Sequence, residues 1–122
     1  GGLRKTAGGL IPSSGLAEHL ACDRMLLAGD AAGCTHPITG AGIAAAVVSG
    51  NLAATAVLEQ KKGVGTKLDE SYPRVLQAEY GEQYSRARRR FLDRERNWTA
   101  DSLEFAGVIR RSWIAFPEYY AQ

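Results

Sequence analysis

The residues best suited to chemistry lie in one stretch, residues 26–54, LLAGDAAGCTHPITGAGIAAAVVSGNLAA. An apolar run, Met25-Leu26-Leu27-Ala28, stops at Gly29-Asp30. A loop of small residues follows, with Gly33, Pro37, Gly40 and Gly42, and then a long run of Ala, Val, Ser and Gly. A carboxylate such as Asp30, delivered at the end of a strand, accepts hydrogen bonds from ligand hydroxyls. Glycines at 29 and 42 let a ligand approach the backbone. The first turn of the following helix leaves N–H groups unpaired and carries roughly half a positive charge. An anionic or electron-rich group is favoured there. The competing reading is a tight strand-to-helix turn without a ligand, since short glycine motifs recur by chance.

The order of the motif narrows the choice. With Gly29-Asp30-Ala31-Ala32-Gly33, then Pro37, then Gly40-Ala41-Gly42-Ile43, the segment resembles the second FAD-binding motif of flavoprotein hydroxylases and reductases. Within that superfamily it is most similar to the geranylgeranyl reductase family, in which GDAAG, a PxTGxGI stretch and a small-residue helix occur in this order. Gly8-Gly9-Leu10-Ile11-Pro12 and Trp113-Ile114-Ala115-Phe116 add to the likeness, which is strong over about 8–50. The resemblance implies FAD as cofactor, with Gly29, Asp30, Pro37, Gly40, Gly42 and Ile43 as binding residues. Asp30 would take the ribityl chain, and the amides near Gly42 and Ile43 would face the flavin pyrimidine ring. A helix N-terminus there stabilises the negative charge of reduced flavin. Flavin packing against Gly42 would leave no room for a side chain, while the Ile43 side chain would enter the core.

Gly40-Ala41-Gly42-Ile43-Ala44-Ala45 also fits G-x-G-x-x-A, the dinucleotide fingerprint. That fingerprint needs its glycines directly after a strand, with a second strand carrying a ribose-binding acid. Here the strand ends about ten residues earlier and residues 52–60 still read as helix, so the context fails. Cys34 and His36 sit inside the loop as candidates for redox or acid–base work, although lone Cys and His residues mostly pack. Cys22 and Cys34 have no metal-ligand spacing, and no metal is expected. No catalytic residue is identified.

Around the motif, residues 9–12 read as a short strand, 16–22 as a helical turn, and 24–28 as the main strand. Residues 40–60 read as a helix stopped by Lys61-Lys62-Gly63. Gly63-Val64-Gly65-Thr66-Lys67 reads as a linker, with Thr66 and Asp69 as a weak capping box. From Leu68, the steps Tyr72, Val75, Leu76, Tyr80, Tyr84, Ala87, Phe91 predict an amphipathic helix. Pro73 is tolerated near its first turn and kinks it otherwise. A last helix from Thr99 or Asp101 has the stripe Leu103, Ala106, Ile109, Trp113, Phe116 and ends at Pro117. The aromatic stripes read as core rather than as a cofactor box. The fold expectation is an α/β fragment, the C-terminal part of an FAD-binding Rossmann-like fold of the glutathione-reductase type, mostly helical after residue 40. Residues 1–62 would be the end of the FAD-binding domain, and 63–122 a helical C-terminal region.

The 122 residues suffice for one small domain. Hydrophobic residues make up 45% and charged residues 23%, which excludes a disordered chain. A net charge of +2 gives no case for nucleic acid. The start, Gly1-Gly2-Leu3, lacks an initiator Met, and a longer polypeptide is expected to supply the first FAD motif and the main substrate cavity. Residues 41–58 lack charge but are mostly Ala and Gly, broken by Ser49, Asn51 and Thr55; they read as a buried cofactor helix rather than a membrane span. Arg86, Arg88, Arg89, Arg90, Arg94 and Arg96, interrupted by Asp93 and Glu95, read as a solvated face with intrahelical ion pairs. Docking on anionic lipid headgroups is the functional alternative. His19 is expected at the surface.

The expected whole enzyme reduces isoprenoid double bonds of a prenylated lipid or other apolar substrate. Its expected location is cytoplasmic with peripheral membrane contact, and association is expected through surfaces that the N-terminal part would cover. The alternatives are an FAD-dependent hydroxylase or halogenase, and a cofactor-free helical interaction module.

Overall fold

Three helices carry most of the chain: α1 (Ile43–Lys61), α2 (Leu68–Arg96) and α3 (Ser102–Ser112). The computed structural model describes residues 8–64 and 67–121. Helix α1 is built from Ala and other small residues that favour helix or pack closely. It ends in a Schellman motif: Gly63, with φ +68°, donates to the Gln60 carbonyl, and Val64 donates to that of Glu59. Its end matches the stop expected at Lys61-Lys62-Gly63.

Helix α2 starts after Lys67 with no side-chain cap; Gly65 and Thr66, and with them the expected capping box, lie outside the described residues. Asp69 and Glu70 occupy its first turn and Arg94 and Arg96 its last, each where the helix dipole favours that charge. Pro73 falls in the second turn, yet the helix is assigned without a break. Leu68, Tyr72, Leu76, Tyr84 and Ala87 are buried. Val75, expected on the same stripe, is exposed. Helix α3 is capped by Asp101, whose carboxylate accepts from the Leu103 and Glu104 amides, both at 3.0 Å.

The end of α3 corrects its expected stripe. The helix stops at Ser112, and Trp113 is extended. The buried face is Val108 and Ser112, while Leu103 is 84% exposed and both tryptophans are exposed. Phe116 precedes a single 3-10 turn, Pro117–Tyr119. Trp113 and Phe116 thus lie outside the helix, and Val108 and Ser112, one turn apart, mark the side that packs on α2.

The strands are also shorter than expected. Strand β1 (Ala21–Cys22) pairs antiparallel with β2 (Met25–Leu26), in the register Ala21↔Leu26 and Cys22↔Met25. The reversal at Asp23-Arg24, with Asp23 at φ 50°, folds residues 24–28 back on their own neighbours. Residues 16–22 form no helical turn and residues 9–12 form no strand. This two-strand hairpin is the sheet present among the described residues. Leu27 extends the hairpin by donating to the Leu20 carbonyl at 2.9 Å. The Tyr72 hydroxyl donates to the Leu27 carbonyl and fastens the hairpin to α2.

Helix α1 packs against α2 and against the 3-10 turn at Gly29–Ala32, and α2 packs against α3. The core gathers Leu20, Ala32, Cys34, Ala45, Ala56, Leu68, Tyr72 and Leu76. Only one side of α1 joins it. Ile43, Val47 and Leu58 are exposed, and 17% of the helix's most apolar window is buried. Within this chain α1 is buried on one side only: small residues allow close packing there, and nothing among the described residues covers the other side. By length and composition alone, α1 is long and apolar enough to cross a membrane.

Candidate functional site

The loop from Gly29 to Gly42 is held at both ends by α1. The Gly29 amide donates to Ser49 Oγ at 2.9 Å, a buried bond to the second turn of α1. Ser49 in turn donates to the Ala46 carbonyl. Gly29 begins the 3-10 turn that carries Asp30, and Gly33 closes it with φ +70°. A Cβ on Gly33 would lie 2.1 Å from the Gly15 carbonyl oxygen, so this position excludes a side chain. The Ala17 amide donates to the Ala32 carbonyl at 3.0 Å, tying the upstream segment to the turn.

Asp30 is exposed, and its Oδ1 accepts the Thr35 hydroxyl at 2.7 Å. That bond fixes the carboxylate beside the start of α1. A Cβ on Gly42 would sit 3.1 Å from Thr35 Oγ1, 3.2 Å from Asp30 Oδ1 and 3.4 Å from the Cys34 carbonyl. Gly42 is therefore small for a reason inside the chain itself, whatever ligand approaches. Helix geometry leaves the Ile43, Ala44 and Ala45 amides without intrahelical partners. An exposed carboxylate fixed through one oxygen, next to an uncapped helix start, fits a ligand that carries hydroxyls and an electron-rich ring edge. That donor set suits FAD. Asp30 would hold the ribityl hydroxyls and the Ile43 end of α1 would face the ring.

The remaining sequence candidates are brought to the same loop. Pro37 is buried in the turn between His36 and Gly40. Gly40 is exposed, has φ +70° and donates to the His36 carbonyl at 2.9 Å. The Ile43 backbone stands where it was expected, but its side chain is 88% exposed, not in the core. Ala45 and Ser49 are the positions that α1 turns inward, and Ile43 falls on the opposite side.

Cys34 and His36 are both buried. Burial pushes the Cys34 thiol up, with a smaller lowering from Ser49 and a raising from Asp30. The protonated thiol packs in the core and is not a poised nucleophile. His36 Nδ1 accepts from the Ile38 and Thr39 amides, each at 3.3 Å. Burial lowers its pKa from the ordinary 6.5. The ring is neutral, and its proton is assigned to Nε2 by those two bonds. Sequence reading identified His36 as a candidate but had no signal for this tautomer, because both amide donors lie in a turn whose shape is tertiary.

The arginines of α2 divide by partner. Arg86 pairs with Glu82 one turn back at 2.6 Å, an exposed bond of small energetic weight. Arg90 instead donates to the carbonyls of Tyr119 and Ala121 and anchors the tail on α2. Arg110 pairs with Glu118 at 2.7 Å; the Glu118 pKa is lowered first by its own backbone amide and then by this arginine. No group of His, Cys, Asp and Glu suited to a metal ion occurs among the described residues.

Over 80 residues the chain is 38% identical to the menaquinone reductase of Mycolicibacterium smegmatis (strain ATCC 700084 / mc(2)155), a distant match that covers 66% of this chain and 19% of that protein. The chain thus matches about one fifth of the length of this curated relative. No protein-family model and no solved structure matches it.

Proposed function

We propose that this chain is the C-terminal part of an FAD-dependent oxidoreductase similar to geranylgeranyl reductases, and that the whole enzyme reduces isoprenoid double bonds of a prenylated lipid. A prenylated quinone is the favoured substrate, given the name of the reductase to which the chain is similar. The carrying observation is the fixed pairing of Asp30 with Thr35 beside the uncapped start of α1. Residues 1–62 close the FAD-binding domain in this reading, and 63–122 form the helical region that follows.

FAD, when bound, supplies the reducing equivalents. The chain's own residues bind and orient. Asp30 accepts hydroxyl hydrogen bonds, and Thr35 keeps its carboxylate turned toward the ligand. Gly29, Gly40 and Gly42 keep the loop backbone close, with Pro37 buried beneath. The amides at the start of α1 favour negative charge at the ring edge. The exposed side of α1 is covered by the rest of the polypeptide, and the apolar substrate brings the enzyme to the membrane surface from the cytoplasm.

The test uses the polypeptide that carries this chain. It should purify with a flavin absorption band and, after reduction with dithionite under anaerobic conditions, saturate double bonds of a prenylated quinone. After the quinol formed by dithionite is reoxidised to the quinone in air, mass spectrometry reads a gain of two hydrogens per saturated bond. A hydroxylated or halogenated product that requires oxygen would replace this reading with the hydroxylase or halogenase. Absence of flavin would leave a helical interaction module.

A further inference from the structure

Between the start of α1, the middle of α2 and the tail lies a cleft of about 620 Å³. Tyrosines form its walls. Tyr80 and Tyr84 have ring centroids 5.3 Å apart, and Tyr119 and Tyr120 meet edge to face at 4.9 Å. His36 lines the same space, 8% exposed, with no partner for Nε2 among the described residues. Ile43, Ala44 and Ala45 border one end of it, where the start of α1 faces the flavin ring in the function proposed above, so their amides do not count as donors to a second ligand. Arg86 is on the rim, and no carboxylate side chain lines the cleft. The volume lies within the range of small-molecule sites. Aromatic walls favour a flat ring. His36 Nε2–H and Arg86 can only donate, and the Tyr, Thr39 and Gln83 groups can also donate, so with no carboxylate the cleft favours a ligand whose polar atoms are acceptors and disfavours a cation.

We propose that this cleft binds a planar aromatic ring bearing carbonyl oxygens, a quinone head group, with His36 Nε2–H donating to one carbonyl. The choice of a quinone rests on the function proposed above; the donor-rich aromatic cleft does not. His36 is a positioning donor here. Its Nδ1 is engaged by the Ile38 and Thr39 amides, so the ring cannot turn over without breaking both bonds.

Calorimetric titration of the flavin-loaded polypeptide with menadione (2-methyl-1,4-naphthoquinone) tests this. Saturable binding is expected. His36→Asn keeps an acceptor near the position of Nδ1 and deletes the Nε2 donor; affinity should fall about 3- to 10-fold, the worth of one neutral hydrogen bond. Tyr120→Ala removes an exposed wall and should weaken binding by a similar factor with the fold intact. 2-Methylnaphthalene, a ring without carbonyls, should bind more weakly than menadione and ignore His36→Asn. No menadione binding, or binding unchanged in both variants, overturns the proposal. If His36→Asn does not fold, Tyr120→Ala and the naphthalene comparison still decide it. Binding that depends on these residues in a protein without reductase activity sinks the proposed function but leaves the cleft. Normal lipid reduction with menadione binding indifferent to both variants does the reverse.

Discussion

Gly42→Ala places a methyl group 3.1 Å from Thr35 Oγ1 and 3.2 Å from Asp30 Oδ1. Both distances are tighter than ordinary van der Waals contact, so the Thr35–Asp30 pair must move. Overpacking of this size costs about 1–3 kcal/mol. Thr35→Ala alone loses a hydrogen bond to a charged carboxylate, worth about 1.5 kcal/mol at this part-exposed position. The double variant should be more stable than the sum of the two losses implies. Without Oγ1 the new methyl has space, and the released Asp30 side chain can turn away. The Cys34 carbonyl at 3.4 Å then remains the nearest fixed atom. A favourable coupling of about 0.5–2 kcal/mol is expected for residues in such contact. Urea denaturation of the four proteins measures it from midpoints at constant slope. Additivity within about 0.5 kcal/mol would refute the reasoning, because Thr35 would then not crowd Gly42. The same cycle separates packing from cofactor contact. Gly42→Val in the native background cannot do so, since Thr35 and Asp30 already fill that space. Flavin occupancy of Gly42→Ala compared in the Thr35→Ala background reads the approach of the ring alone.

Gly33→Ala should be more damaging than Gly42→Ala, since its methyl would overlap the Gly15 carbonyl at 2.1 Å with φ at +70°; a loss above about 3 kcal/mol is expected, and a melting temperature near wild type would contradict it. Asp30→Ala in the flavin-loaded protein should weaken FAD retention roughly tenfold by removing a charged acceptor, measured by equilibrium dialysis; unchanged retention would leave Asp30 as a turn residue. Ile43→Ala in the 122-residue chain alone should change stability by less than about 0.5 kcal/mol, since the side chain is 88% exposed there; a loss of several kcal/mol in a thermal melt would mean that it is buried within this chain. His36 has its pKa lowered by burial, so its unfolded form binds protons first: its stabilising contribution is complete above pH 6.5 and is lost as pH falls through the folded value. Denaturation midpoints should therefore drop below pH 6.5, and His36→Asn should flatten that slope; an unchanged slope would assign it to other groups.

Local signals in the sequence determined a good deal. The Gly-Asp turn, a helix over 40–60 with its stop at Lys61-Lys62-Gly63, and a last helix from Thr99 or Asp101 all depend on residues a few positions apart; the structure moved the two starts to Ile43 and to Ser102, after the Asp101 cap. Glycine geometry and capping act over one turn, so they are legible without a partner. Tertiary structure decided what those elements face. Helix α1 is apolar nearly all round, so its composition could not say that Ala45 and Ser49 turn inward and Ile43 outward. Docking on α2 and on the turn at Gly29, whose amide bonds Ser49 twenty residues away, selected that face. The run at residues 24–28 was apolar enough for a longer strand, but the turn at Asp23 paired it with residues 21–22 and ended the ladder. The His36 tautomer and the cleft it borders depend on a turn, on tyrosines more than forty residues downstream, and on a tail anchored by Arg90. Contacts of that range leave no periodic trace in the chain, because each partner's own segment is already satisfied by its local helix or turn.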